Sequence, residues 1–269
     1  MVKGTGPVAR ISFIALVALG ILTGAIFAIA PAIDLRVASY LLAVAAQNHA
    51  SPFFRFAAFV RDVGPFVVTA AVAPAAAALI MRVMRSRQPA LMSSRAALFV
   101  ILSLVLGPGL LVNGVLKETW PRPRPGSIAE FGGDLEFKPW WDPRGGCDSN
   151  CSFVSGETSS ATWLAAPALV LPAPWRYLAL SGVAIYTTLI ALARLLAGGH
   201  FLSDVIFAVI FTGLMIWGVH GYLYRWKSMR PQERTLDMPF ERTGEAISRL
   251  FGATASPRNA PSDKSTPPA

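Results

Sequence analysis

An arginine, a histidine and an aspartate stand at the margin of two apolar stretches in Arg194-Leu-Leu-Ala-Gly198-Gly199-His200-Phe-Leu-Ser-Asp204. Ionisable groups at membrane depth are costly and by default mark function. His200 and Asp204 are four residues apart, so on a helix they share one face, and the carboxylate can accept from one imidazole nitrogen. Such a bond fixes the tautomer and leaves the other nitrogen free as a nucleophile. The two glycines let the chain turn and let backbone approach a phosphate. The plainer alternative is an interfacial histidine with an aspartate that merely favours a helix N-terminus.

Two further clusters supply charge. In Lys117-Glu-Thr-Trp-Pro-Arg122-Pro-Arg124-Pro125 the alternating prolines hold the chain extended, so Arg122 and Arg124 project in roughly one direction. Arginine forks and a lysine point charge together neutralise a phosphate dianion. The same residues would also suit a basic stretch meeting lipid headgroups. In Ser152-Phe-Val-Ser155-Gly156-Glu157-Thr158 a small Ser-Gly pair precedes an apolar run. Unpaired amides at a helix start form an anion site, although an ordinary N-cap with Glu157 in the first turn has the same signature.

These residues need a scaffold, and 54% hydrophobic with only 14% charged residues points to a membrane one. About 20 apolar residues cross a bilayer as a helix. Windows of that kind run over 11–33, 64–81, 96–116, 159–171, 177–196 and 201–224, the fourth being the shortest. The expectation is an all-α polytopic bundle of six transmembrane helices. Residues 34–63, with Arg36, Gln47, His49, Arg55 and Arg61 among apolar residues, read as an interfacial helical segment. The first window exceeds a signal peptide's apolar region, and its small-residue candidate at Ala28 to Ala30 runs into Pro31.

Basic residues set the orientation. Lys3, Arg10, Arg82, Arg85, Arg87, Arg95, Arg176 and the group from Arg225 onward fall on one side, which predicts both termini in the cytoplasm. Lys117, Arg122, Arg124, Arg194 and the long loop from 117 to 158 then face outward. Cys147 and Cys151 in that loop form a disulfide in an oxidising compartment or remain two free thiols. The ligands for a zinc site are missing nearby. The polar, proline-rich residues after 226 read as a partly disordered cytoplasmic tail, within which 244–252 has the pattern of a short amphipathic helix. The net charge of +9 fits this topology and an anionic substrate; no basic stripe interleaved with aromatics indicates nucleic acid.

Taken together, the three clusters resemble the type 2 phosphatidic acid phosphatase superfamily, with motifs K-x6-R-P, P-S-G-H and S-R-x5-H-x3-D. Lys117 with Arg124-Pro125 meets the first, and Arg194, His200 and Asp204 meet the spacing of the third. Ala193 stands in place of the serine, and Val154-Ser155-Gly156-Glu157 replaces P-S-G-H, so a glutamate occupies the position of the proton-donating histidine. The resemblance implies a membrane domain over 1–226 with a tail over 227–269, and a two-step displacement without metal or other cofactor. In it His200 attacks phosphorus, Asp204 stabilises the imidazolium, and Lys117, Arg124, Arg194, Arg122 and the Ser155 and Gly156 amides bind phosphate oxygens. Glu157 is left with three roles: general acid, activator of water, or substrate recognition. The segments Leu106–Gly109, Asn113–Lys117 and Cys147–Glu157 look like bacterial lipid A phosphatases that act at the 4′ position, in the inner membrane with the site facing the periplasm. Undecaprenyl pyrophosphate and other lipid phosphates, transfer of phosphate to a lipid hydroxyl, and an inactive lipid-phosphate binder are the alternatives. Oligomeric state is not legible in the sequence.

Overall fold

The computed structural model describes residues 6–48, 50–84 and 92–252. Its described residues are helical throughout apart from loops, short 3-10 turns and one isolated bridge between Ile128 and Leu135. Among the described residues, five helices are long and apolar enough to cross a membrane: Pro7–Ile29, Pro52–Met84, Ser94–Thr119, Trp175–Leu196 and Leu202–Arg225. Large apolar side chains such as Ile21, Phe66 and Ile185 stand exposed on them, an unfavourable arrangement in water and the favourable one against lipid tails.

We label the main elements α1 (Pro7–Ile29), α2 (Ala32–Asn48), α3 (Pro52–Met84), α4 (Ser94–Thr119), α5 (Gly156–Trp163), α6 (Ala165–Val170), α7 (Trp175–Leu196), α8 (Leu202–Arg225) and α9 (Glu233–Gly252). The first span ends at Ile29, short of the expected 33, because Pro31 disfavours helical backbone in the residue before it. Residues 34–63 are not one interfacial segment. Their first part is α2, and from Pro52 onward they belong to the 33-residue α3. Arg55, Arg61 and Asp62 make that stretch look interfacial by composition, yet nothing in them interrupts helical hydrogen bonding.

The expected fourth span is two short helices, α5 and α6. Pro167 lacks the N–H that would reach Trp163, and its ring crowds that carbonyl, so the helix breaks at Leu164. Gly156 to Val170 is 15 residues, roughly 22 Å of helix, less than the ~30 Å of a hydrocarbon core. This pair is buried in the bundle. Trp163 donates its indole N–H to the Val100 carbonyl (3.2 Å) and Ser103 Oγ (3.0 Å) of α4, and Ser159 pairs with Thr212 of α8 at 2.7 Å.

Within α4, Val105–Leu116 winds as a π-helix through Gly107-Pro108-Gly109 and delivers Asn113 and Lys117 to the bundle end. Above that end the loop from Trp120 to Ser155 packs on an aromatic group of Trp120, Trp140, Phe153 and Phe207. At the opposite end α9 docks on the core: Asp237 pairs with Arg82 (3.0 Å) and accepts from Ser94, and Glu233 pairs with Arg95 (2.8 Å). Helix in the tail therefore begins at Glu233, well before 244. Lys3, His49, Arg85, Arg87 and residues 253–269 lie outside the described residues.

Candidate active site

His200 lies in the α7–α8 loop, one residue before the α8 N-cap Phe201. It is 1% exposed. Its Nδ1 donates to the Ser152 carbonyl at 2.7 Å, which makes the neutral ring's Nε2 the unprotonated nitrogen. Nε2 has no hydrogen-bond partner among the described residues, and the Glu157 carboxylate lies 3.7 Å away.

Asp204 does not orient the ring in the way its spacing suggests. The i, i+4 argument needs both residues on the helix, and His200 precedes it. Asp204 Oδ2 is 4.0 Å from Nδ1 and instead accepts from Ser152 Oγ (2.6 Å) and from the Phe201 amide (2.9 Å), while Oδ1 accepts from Arg122. The carboxylate thus holds the loop whose carbonyl holds the imidazole.

Arg194, from the last turn of α7, pairs with Glu157 at 3.3 Å. A Cβ at Gly199 would collide with its guanidinium, so only glycine leaves room for that arginine. Gly156 has the same function beside Asn113 and Lys117, where an added Cβ would lie 2.7 Å from the Asn113 side-chain oxygen. Lys117 Nζ donates to Asn150 Oδ1 (3.0 Å), and Arg124 donates to the Asn150 carbonyl (2.7 Å) and Oδ1 (2.8 Å). Cys147 and Cys151 are joined in a disulfide that brackets Asn150, whose φ of 48° is a left-handed conformation asparagine tolerates.

Lys117, Arg124, Gly156 and Glu157 line a cavity of about 470 Å³, together with Arg61, Asn113 and Asn150 and an apolar wall that includes Pro65, Val68 and Ile190. Of the residues the sequence offers for phosphate, Arg122, Arg194 and Ser155 do not line this cavity, although Arg194 reaches its edge through Glu157. Arg122 is fully buried and spent on Asp34, Asp204, Ser203 and the Lys138 carbonyl. Ser155 is the N-cap of α5: its Oγ accepts from the Thr158 amide at 3.3 Å, and its own amide donates to the Asp204 carbonyl. Gly156 and Glu157 remain as first-turn amides outside the helical ladder. Arg61, Asn113 and Asn150 are additions. Asn113 was signalled by its place four residues before Lys117 in an apolar helix, whereas nothing local signals Arg61 or Asn150.

Burial pushes the His200 imidazole below its ordinary value, opposed by the carboxylates of Glu157 and Asp204 and assisted by Arg194. Burial works to raise the Glu157 carboxyl, but the Arg194 guanidinium, joined by His200 whenever the ring is protonated, outweighs it and lowers the group below the usual carboxylate range. The site therefore combines a neutral imidazole with a free nitrogen, an ionised carboxylate beside it, and three cations within reach.

The match to known sequences falls on these elements: residues 96–228 match the PAP2 superfamily. They are a PAP2 superfamily domain. Three relatives overlap it, each a lipid A 4′-phosphatase. The protein of Francisella tularensis subsp. novicida (strain U112) is 39% identical over 49% of this chain and 60% of its own length. That of Rhizobium leguminosarum is 45% identical over 42% of this chain and 51% of its own. That of Rhizobium etli is 48% identical over 38% of this chain and 40% of its own. The chain thus spans about half the length of the relatives it matches. No solved structure matches it. The PAP2 domain contains every cavity cation except Arg61, and it contains both His200 and Glu157.

Proposed function

We propose that the protein is a membrane phosphatase that removes a phosphomonoester from lipid A, at the 4′ position, through a phosphohistidine on His200. The observation that carries this reading is the His200 ring. Its Nδ1–H is committed to Ser152, and its Nε2 is unpartnered beside a cavity bearing Lys117 and Arg124, with Arg194 paired to Glu157 at its edge. The three relatives supply the substrate.

In the first step the Nε2 lone pair forms a P–N bond as the P–O bond to the sugar breaks, and the leaving oxygen takes a proton from water. Lys117, Arg124 and Arg194 neutralise charge on the non-bridging oxygens, the dominant form of catalysis in phosphoryl transfer. In the second step water attacks phosphorus, the P–N electrons return to the ring, and inorganic phosphate leaves. Glu157, ionised beside Arg194, is unsuited to donating a proton; 3.7 Å from Nε2, its carboxylate is placed to orient that water and accept its proton as the P–N bond breaks.

Six crossings fit this site. Lys117 and Arg194 end α4 and α7 at the site, and Gly156 starts α5 there, so the buried pair α5–α6 carries the chain back through the bundle to Trp175. With that crossing, both termini lie on the cytoplasmic side and the site faces the periplasm. The Cys147–Cys151 disulfide supports that side, since such bonds persist in oxidising compartments.

The test is phosphate release by the detergent-purified chain from lipid A, undecaprenyl pyrophosphate and phosphatidic acid, with His200→Ala beside the wild type. Release from the lipid A 4′ position, with an acid-labile phosphoprotein formed by the wild type and abolished in His200→Ala, is expected. Turnover undiminished in His200→Ala would overturn the mechanism, and turnover confined to another lipid would overturn the substrate.

A further inference from the structure

Behind His200, away from the cavity, lies a group of three charges with almost no access to solvent. Arg122 is 0% exposed, Asp204 0% and Asp34 1%. One branch of the Arg122 guanidinium donates to Asp204 and the other to Asp34 at 2.8 Å. Its planar face lies 4.5 Å from the Phe201 ring centre, and its Nε donates to the Lys138 carbonyl at 2.9 Å. Two carboxylates share one guanidinium, which leaves one surplus negative charge in a medium where charge is costly.

The group is wired to the imidazole by short bonds. Asp34, from α2, accepts from the Ser203 amide (2.9 Å) and Ser203 Oγ (2.6 Å), so it caps the first turn of α8 from outside that helix. Ser152 donates its amide to the Arg122 carbonyl (2.9 Å) and its hydroxyl to Asp204 (2.6 Å), and its own carbonyl receives His200 Nδ1–H. Burial raises the Asp34 carboxyl above its ordinary value, yet both oxygens are engaged only as acceptors, the arrangement of the ionised form.

Resting on the phosphohistidine reading above, we propose that Asp34 is a positioning residue for His200: by holding one branch of Arg122 it leaves Asp204 incompletely neutralised, so that the imidazolium formed during phosphoryl transfer faces surplus negative charge. One carboxylate would suffice to neutralise the Arg122 guanidinium. The second places the excess within 4.0 Å of Nδ1 through Asp204, where charge develops as Nε2 bonds to phosphorus. The other charged groups facing His200 are Glu157 of α5 and Arg194 of α7, and neither contacts Asp34.

The experiment compares the wild-type chain with Asp34→Asn and Ser203→Ala in detergent, reading kcat, KM, the acid limb of the pH profile and thermal unfolding. With Asp34→Asn, Arg122 neutralises Asp204 fully, so kcat should fall about 10-fold or more at a KM within about two-fold. The acid limb should move to lower pH, because a protonated ring loses a stabilising charge. Ser203→Ala should shift both in the same direction by a smaller factor, and it decides the matter if Asp34→Asn does not fold. A folded Asp34→Asn with unchanged kcat and an unmoved acid limb, or an unfolded one beside an unaltered Ser203→Ala, overturns the proposal alone. A wild type that releases no phosphate from any lipid overturns the phosphatase reading, and the role of Asp34 with it.

Discussion

The Nδ1 of His200 lies 2.7 Å from the carbonyl oxygen of Ser152 and 4.0 Å from the nearest oxygen of Asp204. A main-chain acceptor cannot be titrated, so the tautomer that exposes Nε2 is fixed by the fold of the loop. Where an aspartate alone fixes the tautomer, its conversion to asparagine costs about 10⁴ in kcat. Here Asp204→Asn should cost only about 10²-fold, the share due to charge. Steady-state rates on lipid A, measured beside the thermal midpoint, distinguish the two figures.

Glu157 bridges Arg194 and His200 as a carboxylate, which bears on the second step and not the first. Glu157→Gln should slow hydrolysis of the phosphoenzyme by about 10²–10⁴-fold, the usual range for a positioned base. Rapid quench with radiolabelled lipid should then show a burst of labelled protein. Equal slowing of phosphoenzyme formation, with no burst, points to a role in the first step.

The pH profile has a defined sign. The ring must be neutral to attack, and burial puts its pKa below the ordinary 6.5, so activity should persist as pH falls through that value and be lost only below it. Since the Glu157 carboxylate favours the protonated ring, Glu157→Gln should move the acid limb further down. An upward move would contradict the electrostatic account of the site.

Gly199→Ala drives a methyl group into the Arg194 guanidinium. Because the clash is with the far end of a flexible side chain, the stability cost should sit near the low end of the ~1–3 kcal/mol typical of overpacking. Displacement of the arginine should be read as a rise in KM beyond whatever thermal denaturation reports.

Reduction of the Cys147–Cys151 bond, or its replacement by Cys147→Ser with Cys151→Ser, frees the loop that presents Asn150 to Lys117 and Arg124. Closure of so short a ring is worth roughly 2 kcal/mol. KM should rise with kcat nearly unchanged, and kinetics with and without reductant check it.

The grouping of the candidate site was largely legible in the chain, because Lys117, Arg124, Glu157, Arg194 and His200 are costly residues in apolar surroundings and the spacing within each cluster is local. Five of the spans were legible for the same compositional reason, with boundaries displaced at Pro31 and Pro52. Other features depend on contacts distant in sequence. The alternation around Arg122 suggested a phosphate fork, yet its partner Asp34 lies 88 residues away, and no local pattern announces that pairing. The stretch 159–171 is apolar enough to pass for a single span, but Pro167 acting on Trp163 divides it between α5 and α6. Arg61 looked interfacial until α3 was continuous through it, which brings it to the cavity wall.

The π-wound stretch Val105–Leu116 sets the angular position of Lys117 around the α4 axis. Its rings close one residue later than those of an α-helix, so twelve residues reach Lys117 with a different azimuth from the one ordinary winding would give. Deleting a single residue ahead of Asn113 would swing Asn113 and Lys117 around the axis by roughly a quarter of a turn, with almost no change in length or hydrophobicity. Two spans of equal composition would then cross the same bilayer, and only one would point its ammonium group at the cavity.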